Sequence, residues 1–450
     1  MANFWNKITS VITRKQTAAS TQPRVLARDD HPVSRRLISD SALKVMHRLR
    51  SGGFEGYLVG GAVRDLMLGK RPKDFDIGTN ATPEEVRNLF RNSRIIGRRF
   101  KIVHVRFGRE IIEVTTYRGS HENTAGNSAV AADNGMLLRD NVYGTLEEDA
   151  KRRDFTINAL YYCSANFTVL DYVGGLDDLK SRQVRIIGDA TSRYQEDPVR
   201  MLRAVRFAAK LDFTLESKTS TPIRELAPIL EQIPAARLFD EVLKLFMEGR
   251  ALRVYALLKH YDLFRPLFPA TQRLLDDGHE SAGALIEQGL VNTDERIGDN
   301  KPVTPAFIYA VILWPVVKRE FDALLASGMP EIPALHQASQ SCISAQQHHT
   351  SIPKRFSMPM RDIWELQLRL PRRSGKRASE LLEHRYFRAA YDFLLLREEA
   401  GEIAEDLGPW WTAFQEADEE TRLSMQKKLS GENSGSGSRR RRKPRTRKPS

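Results

Sequence analysis

The chain changes texture near residue 190, and that change limits its fold more than any other feature. Upstream, short apolar runs broken by glycine alternate with helical patterns. Tyr57-Leu58-Val59 reads as a strand ending at Gly60-Gly61, with a helix over Ala62 to Leu68 directly after it. Asp74-Phe75-Asp76-Ile77 reads as a second strand. Thr82-Pro83-Glu84-Glu85 then predicts a helix start, with a hydroxyl cap, a proline at the first position and two acids facing the dipole. Ile102 to Phe107 and Glu110 to Tyr117 flank Gly108-Arg109 as a hairpin. Ser39 opens an amphipathic helix with Ala42, Val45, Met46 and Leu49 on one face and a Gly52-Gly53 stop. A further helix is expected from Leu146 to Tyr162, capped by Thr145 with Glu148 three residues on. Beyond residue 190 strand signals stop and helical patterns continue: Pro198 to Lys210, Ala235 to Phe246, Leu252 to His260 and others through Phe414. The expectation is an α+β chain, with a mixed-sheet head and an all-helical remainder.

With 450 residues, 41% hydrophobic and 28% charged, the chain can bury several cores, which excludes global disorder. Its net charge of +13 is unevenly placed: Arg439 to Ser450 carries eight basic residues and no acid, and Met1 to Arg28 five and none. Residues 29–438 are therefore neutral, and a uniformly cationic surface is excluded. Gly431 to Ser438 reads as a flexible linker, and the basic segment after it has no apolar residue with which to fold. Residues 1–37 read as a basic N-terminal arm. Phe4, Ile8, Val11 and Ile12 fall at helical spacing among Lys7, Arg14 and Lys15, which leaves a transit peptide or a peripheral membrane contact open beside a mobile arm. The longest apolar run, Ala306 to Val317, has twelve residues and contains Pro315, short of the ~20 a bilayer needs, so no transmembrane helix is expected. Cys163 and Cys342 stand alone, without a disulfide framework or zinc spacing, which suits a reducing, cytoplasmic compartment. The acids between Asp276 and Asp299 suggest a surface loop region.

Three constellations could carry chemistry. Gly60-Gly61-Ala62-Val63-Arg64-Asp65 sits at a strand-to-helix junction, where glycines let backbone N–H groups approach a phosphate; alone, a double glycine is as well a plain turn. Asp74 and Asp76, two apart on a strand, point to one face and suit a pair of Mg²⁺ ions in two-metal phosphoryl chemistry; a solvated strand face is the competing reading. A third carboxylate has two candidates. Glu113 interrupts a buried-looking strand, and Asp154 is expected on a helix with Asn158 one turn later and Arg153, a candidate triphosphate ligand, beside it. Finally, Asp197 can cap a helix whose Arg200, Arg203 and Arg206 form a stripe able to present donors to a base edge; a salt-bridged surface helix accounts for it equally.

Taken in order, LVGGAVRDLMLGKRPKDFDIGTNATPEEV, RRDFTINAL and EDPVRMLRAVRFAAKL resemble the class II template-independent nucleotidyltransferases, which comprise bacterial poly(A) polymerases and CCA-adding enzymes. The segment Ile95 to Val105, the stretch around RFSMPMRDIWELQLRLPRRSGKRASELLEHRYFRAAYDFLLL and the Arg-rich end resemble the poly(A) polymerase branch. The resemblance implies a DNA-polymerase-β-like head over 38–190, a helical neck over 191–260, a helical RNA-binding region over 261–428 and a linker and tail over 429–450. It implies transfer of AMP from ATP to an RNA 3′-hydroxyl, with Mg²⁺ or Mn²⁺ as cofactor. Asp74 and Asp76 would hold the metals, and Asp154 would be the third catalytic acid, with Glu113 as competitor. Gly60, Gly61, Arg64 and Asp65 would bind triphosphate and ribose with Arg153 and Asn158 nearby, and Asp197, Arg200, Arg203 and Arg206 would complete nucleotide binding. The implied partners are 3′ ends of mRNA and small regulatory RNA, and RNA-decay proteins, around a monomer. A CCA-adding enzyme is the alternative, and a non-catalytic decay scaffold a further one that leaves Asp74 and Asp76 without a purpose.

The RNA surface is written less sharply. Arg94, Arg98, Arg99, Lys101, Arg106 and Arg109 lie in a sixteen-residue stretch without an acid. Residues 352–398 carry eleven Lys/Arg against six acids, with Trp364, Tyr386, Phe387 and Tyr391 interleaved as candidate stacking residues.

Overall fold

The computed structural model describes residues 22–97, 101–119, 129–131, 137–140 and 142–434. Contacts divide the chain into two units, one reaching to Arg200 and including Asp212–Pro222, the other comprising Met201–Leu211 and the chain from Ile223 onward. The division therefore falls inside a helix, about ten residues after the change of sequence texture. The segments 1–21 and 435–450, which include most of the basic arm and all of the Arg-rich tail, lie outside the described residues, as do Arg98 and Arg99.

The first unit is built on an eight-stranded sheet: β1 (Arg24–Leu26), β2 (Tyr57–Val59), β3 (Asp76–Thr79), β4 (Ser93–Ile96), β5 (Ile102–Phe107), β6 (Glu110–Thr116), β7 (Leu160–Cys163) and β8 (Thr168–Asp171). Their order is β1-β8-β7-β2-β3-β6-β5-β4. Only β3 and β6 pair in parallel; the neighbouring pairs are antiparallel, including the β5–β6 hairpin expected around Gly108. Helix α1 (Asp40–Ser51) starts where Ser39 Oγ accepts from the Ala42 N–H, and its stripe of Ala42, Val45, Met46 and Leu49 is fully buried. Helix α2 (Gly61–Met67) follows β2 without a loop. Helix α3 (Pro83–Leu89) carries the Thr82/Glu85 capping box that fixes the chain as it leaves β3.

Several expectations need correction. Helix α4 (Leu146–Arg152) has its Thr145/Glu148 box but does not continue to Tyr162. Arg153 turns extended, one 3-10 turn spans Thr156–Asn158, and the chain becomes β7. Leu160, Tyr161 and Tyr162 are fully buried between β2 and β8, so strand pairing at an interior sheet position overrides the helical reading. Asp154 and Asn158 therefore do not share a helix face. Asp74 precedes β3 rather than lying in it. The presumed arm joins the head from residue 22 onward: Arg24–Leu26 pairs with β8 as an edge strand, and His31 and Val33 are buried.

The second unit is helical. Pro305–Ala326 buries nearly every residue of the long apolar run, with Pro315 in its interior, so that hydrophobicity belongs to a protein core. Among the described residues no helix is long and apolar enough to cross a membrane. The acidic stretch expected as a loop is a helix, Glu280–Gly298, with Leu285, Ile286 and Leu290 buried. One of its acids, Asp294, accepts from the N–H groups of Ala251 and Leu252 at 2.6 and 3.1 Å, capping the helix Ala251–His260. Trp364, Phe387 and Tyr391 are core residues, which removes three of the four aromatics proposed for stacking. Tyr386 remains half-buried, with the Arg385 guanidinium 5.2 Å from its ring centre. Helix Glu419–Ser434 runs four residues into the presumed linker, because extending an existing helix costs far less than starting one.

Candidate active site

The first unit carries the candidate residues from Gly60 to Arg200, in two flanks. On the acidic flank, Asp76 at the start of β3 stands in register with Glu113 on the parallel strand β6, while Val59 of β2 faces it on the other side. Asp74 is exposed two residues earlier in the chain. The Asp76 carboxyl is pushed up to about 6, first by burial and then by the Glu113 carboxylate, with Arg153 opposing and Asp74 adding to the rise. Burial beside a second carboxylate thus disfavours the charged form of Asp76.

The opposite flank is cationic. Gly60 adopts φ +69°, a conformation open to glycine, and a Cβ there would sit 3.4 Å from Arg153 Nη1. Behind the turn, the buried Arg64 donates to Asp65 Oδ1 from Nε and Nη2 at 2.8 and 2.7 Å, and from Nη1 to Asn158 Oδ1 at 2.7 Å. Helix α2 is only seven residues long, so the charge beside the glycines comes chiefly from Arg64 and Arg153. Arg153 is held by Asp149, with Nε and Nη2 at 3.1 and 3.0 Å from Oδ2, and donates from Nε to the Tyr161 hydroxyl at 2.9 Å. Tyr161 in turn donates to Asp149 Oδ2 at 2.7 Å.

Asp154 lies on this cationic flank. Its Oδ1 accepts from Arg200 Nε at 3.0 Å, while Arg200 Nη1 donates to Glu196 Oε2 and to the Arg193 carbonyl at 2.8 and 2.7 Å. These two acids hold the Arg200 guanidinium above its usual value despite burial, which acts the other way. Arg152 is lowered to about 10, first by burial and then by the neighbouring guanidiniums of Arg118, Arg193 and Arg200. Asp197 follows the helix Ala190–Glu196, and its carbonyl accepts from the Arg200 N–H as helix α5 (Val199–Leu211) begins. Arg203 and Arg206 belong to the second unit, where Arg206 donates to Glu248 at 2.8 Å and Lys210 pairs with the same carboxylate at 2.9 Å.

This geometry accompanies a full-length likeness to known proteins. Residues 56–185 match the family model described as the poly A polymerase head domain, 212–275 the probable RNA and SrmB-binding site of polymerase A, and 327–448 the polymerase A arginine-rich C-terminus. A poly(A) polymerase I of Escherichia coli O6:H1 is 50% identical over 457 aligned positions, spanning 100% of this chain and 98% of that protein. The chain belongs to the bacterial poly(A) polymerase family. A CCA-adding enzyme of Lactococcus lactis is 41% identical, but over 209 residues and 46% of this chain. The solved Thermotoga maritima CCA-adding enzyme complexed with tRNA shares the fold at 19% identity, with a TM-score of 0.55 over 90% of this chain and 99% of its own. Sequence likeness to poly(A) polymerases thus runs through both units, whereas sequence likeness to the Lactococcus lactis CCA-adding enzyme covers less than half of the chain.

Asp149, Tyr161, Arg118, Arg193 and His104 are site neighbours that sequence reasoning missed. Asp149 carried a usable signal, its i,i+4 spacing to Arg153. Tyr161 was hidden by the helical reading of its strand.

Proposed function

We propose that this poly(A) polymerase extends RNA 3′ ends without a template. The RNA 3′-oxygen attacks the α-phosphorus of ATP, the bond to the β-phosphate oxygen breaks, and pyrophosphate leaves. The observation that carries the assignment of the site is the Asp76–Glu113 row with Asp74 beside it, facing a glycine turn backed by Arg64 and Arg153.

The residues fit a divalent cation, Mg²⁺ or Mn²⁺. Asp76's raised pKa reports burial first and then the Glu113 and Asp74 carboxylates, whose charge a cation would offset. Among the described residues no group of three or more His, Cys, Asp or Glu side chains could hold a metal ion by itself, so substrate phosphates and water would have to complete the coordination of a hard cation. Asp74 and Asp76 hold it, and Glu113 extends their row. A bound cation there supplies charge neutralisation for the attacking and leaving oxygens. Asp154, the third acid expected from the resemblance, acts one step removed by holding Arg200. The Gly60-Gly61 turn, Arg64 and Arg153 receive the triphosphate, with Asp65 and Asn158 fixing Arg64 and lying near the ribose. Asp197 and Arg200 contact the base; Arg203 and Arg206 extend this role on the sequence resemblance alone. Chemistry is then mostly positioning and electrostatics.

The substrates are 3′ ends of mRNA and small regulatory RNA in the cytoplasm, where a tail gives decay proteins a single-stranded foothold. The chain acts as a monomer, and its N-terminal basic segment offers a peripheral membrane contact. Incubating the protein and a 3′-hydroxyl RNA with each NTP separately tests the reading. Long products from ATP alone are expected, and addition confined to CCA on tRNA would overturn it.

A further inference from the structure

The acid-free hairpin strand β5 contributes one side chain to the acidic row. His104 stands in register opposite Glu113, which stands in register opposite Asp76, so the three residues cross β5, β6 and β3 on one line. His104 Nε2 is 3.2 Å from Glu113 Oε1, and since the carboxylate accepts, Nε2 carries the proton. The Glu113 side chain is 45% exposed and has three rotatable bonds, whereas His104 is 27% exposed and anchored at the centre of a six-residue strand. Packing alone therefore does not fix the Glu113 carboxylate, and the His104 imidazole is the side chain that hydrogen-bonds it.

We propose that His104 is a positioning residue for Glu113: its imidazole holds one carboxylate oxygen and so presents the group beside Asp76 in the orientation a divalent cation needs. The inference rests on the assignment of Glu113 to the cation row. Partners that orient a metal-binding carboxylate typically change metal affinity or activity ~10- to 100-fold when removed. A glutamine at position 104 places an amide N–H close to where Nε2 stands, whereas alanine places nothing there.

The test uses the full-length chain as wild type, His104→Ala, His104→Gln and Glu113→Gln. Mn²⁺ is titrated with α,β-methylene-ATP present, and free Mn²⁺ is read by electron paramagnetic resonance; kcat, KM for ATP, RNA affinity and Tm are measured in parallel. His104→Ala is expected to weaken Mn²⁺ binding and lower kcat by ~10-fold or more, with KM for ATP, RNA affinity and Tm unchanged, and His104→Gln to recover most of both losses. If Glu113→Gln is impaired while His104→Ala stays within twofold of wild type, the positioning role is overturned. Equal losses in the alanine and glutamine variants, accompanied by a lower Tm, overturn it as well, since they mark a plain structural pair. Wild-type Mn²⁺ affinity and kcat in Glu113→Gln would instead overturn the assignment of Glu113 on which the inference rests.

Discussion

The two flanks of the site solve opposite problems. On the cationic flank every principal charge is already answered: Arg64 by Asp65 and Asn158, Arg153 by Asp149 and Tyr161, Arg200 by Asp154 and Glu196. On the acidic flank, Asp76 and Glu113 face one another across a parallel strand pair, and Asp76 is driven toward its protonated form. The first flank is a finished scaffold that an anion can enter without rearrangement, because the guanidiniums are held in place beforehand. The second is the flank to which the proposed reading assigns a cation. Damage to the two should therefore look different: loss of chemistry on the acidic side, loss of the fold on the cationic side.

The largest expected effect is on chemistry. Asp76→Ala or Asp74→Ala should lower AMP transfer by ~10³-fold or more, as expected if these two carboxylates hold the catalytic cation, while RNA binding by gel shift stays near wild type. Polymerisation at more than a tenth of the wild-type rate in either variant would break the assignment of the acidic flank. Next comes Asp149→Ala. Asp149 is 8% exposed and answers Arg153, Tyr161 and the Arg118 N–H together. Its removal leaves the Arg153 guanidinium without its counter-charge and the Tyr161 hydroxyl without its acceptor, at a cost of about 3–5 kcal/mol. A thermal denaturation midpoint within a degree or two of wild type would show that the cationic flank is not the scaffold described above.

This contrast also explains how much could be read in the sequence. The start of α1, the capping boxes at Thr82 and Thr145, the β5–β6 hairpin and the passage from sheet to helices follow from local spacing, and the structure places them where the spacing does. Gly60, Gly61, Arg64, Asp74, Asp76, Arg153 and Arg200 are legible for the same reason, as glycines, paired acids and arginines that stand out residue by residue, whereas Asp149 and Tyr161, which hold Arg153, do not. What could not be read was pairing across the sheet. Leu160–Cys163 has a helix-like lead-in, yet it lies between two strands more than a hundred residues apart in some contacts, and only that placement makes it β7. Glu113's standing beside Asp76, and Asp154's turning to Arg200 instead, are likewise facts of register and long-range contact. The base-rich stretch 352–398 failed differently, because composition does not say which face of a helix is buried, and Trp364, Phe387 and Tyr391 face the core.

A paired comparison separates the two acids that competed for the third position. Glu113→Gln should lower kcat by ~10- to 100-fold and raise the Mn²⁺ concentration needed for half-maximal rate, as expected when a group on the acidic row loses its charge. Asp154→Asn should leave that metal dependence unchanged. Its effect should fall on Arg200, appearing as a higher KM for ATP and weaker discrimination among the four NTPs. The reverse pattern, with metal dependence shifted by Asp154→Asn alone, would return Asp154 to the metal site and merge the two flanks.

The smallest effect is one of stability, and it turns on pH. Asp76's folded pKa of about 6 lies above its ordinary value near 3.8. A carboxyl with a raised folded pKa contributes stability that is present below its unfolded pKa and lost as pH rises through the folded one. In metal-free protein Asp76 thus weakens the fold as pH climbs from about 4 to beyond 6. Asp76→Asn removes the charge and should raise the denaturation midpoint of the first unit at pH 7.5 by ~2–4 °C, as expected for a gain of about 1 kcal/mol in a unit of about 200 residues. At pH 4 the variant and the parent should melt together. Saturating Mn²⁺ should stabilise the parent at pH 7.5 and not the variant, because the cation binds the ionised row that the amide has removed. A variant no more stable than the parent at pH 7.5 without metal would mean that Arg153, which opposes the rise, already satisfies Asp76, and the acidic flank would then be as complete without a cation as the cationic one is without an anion.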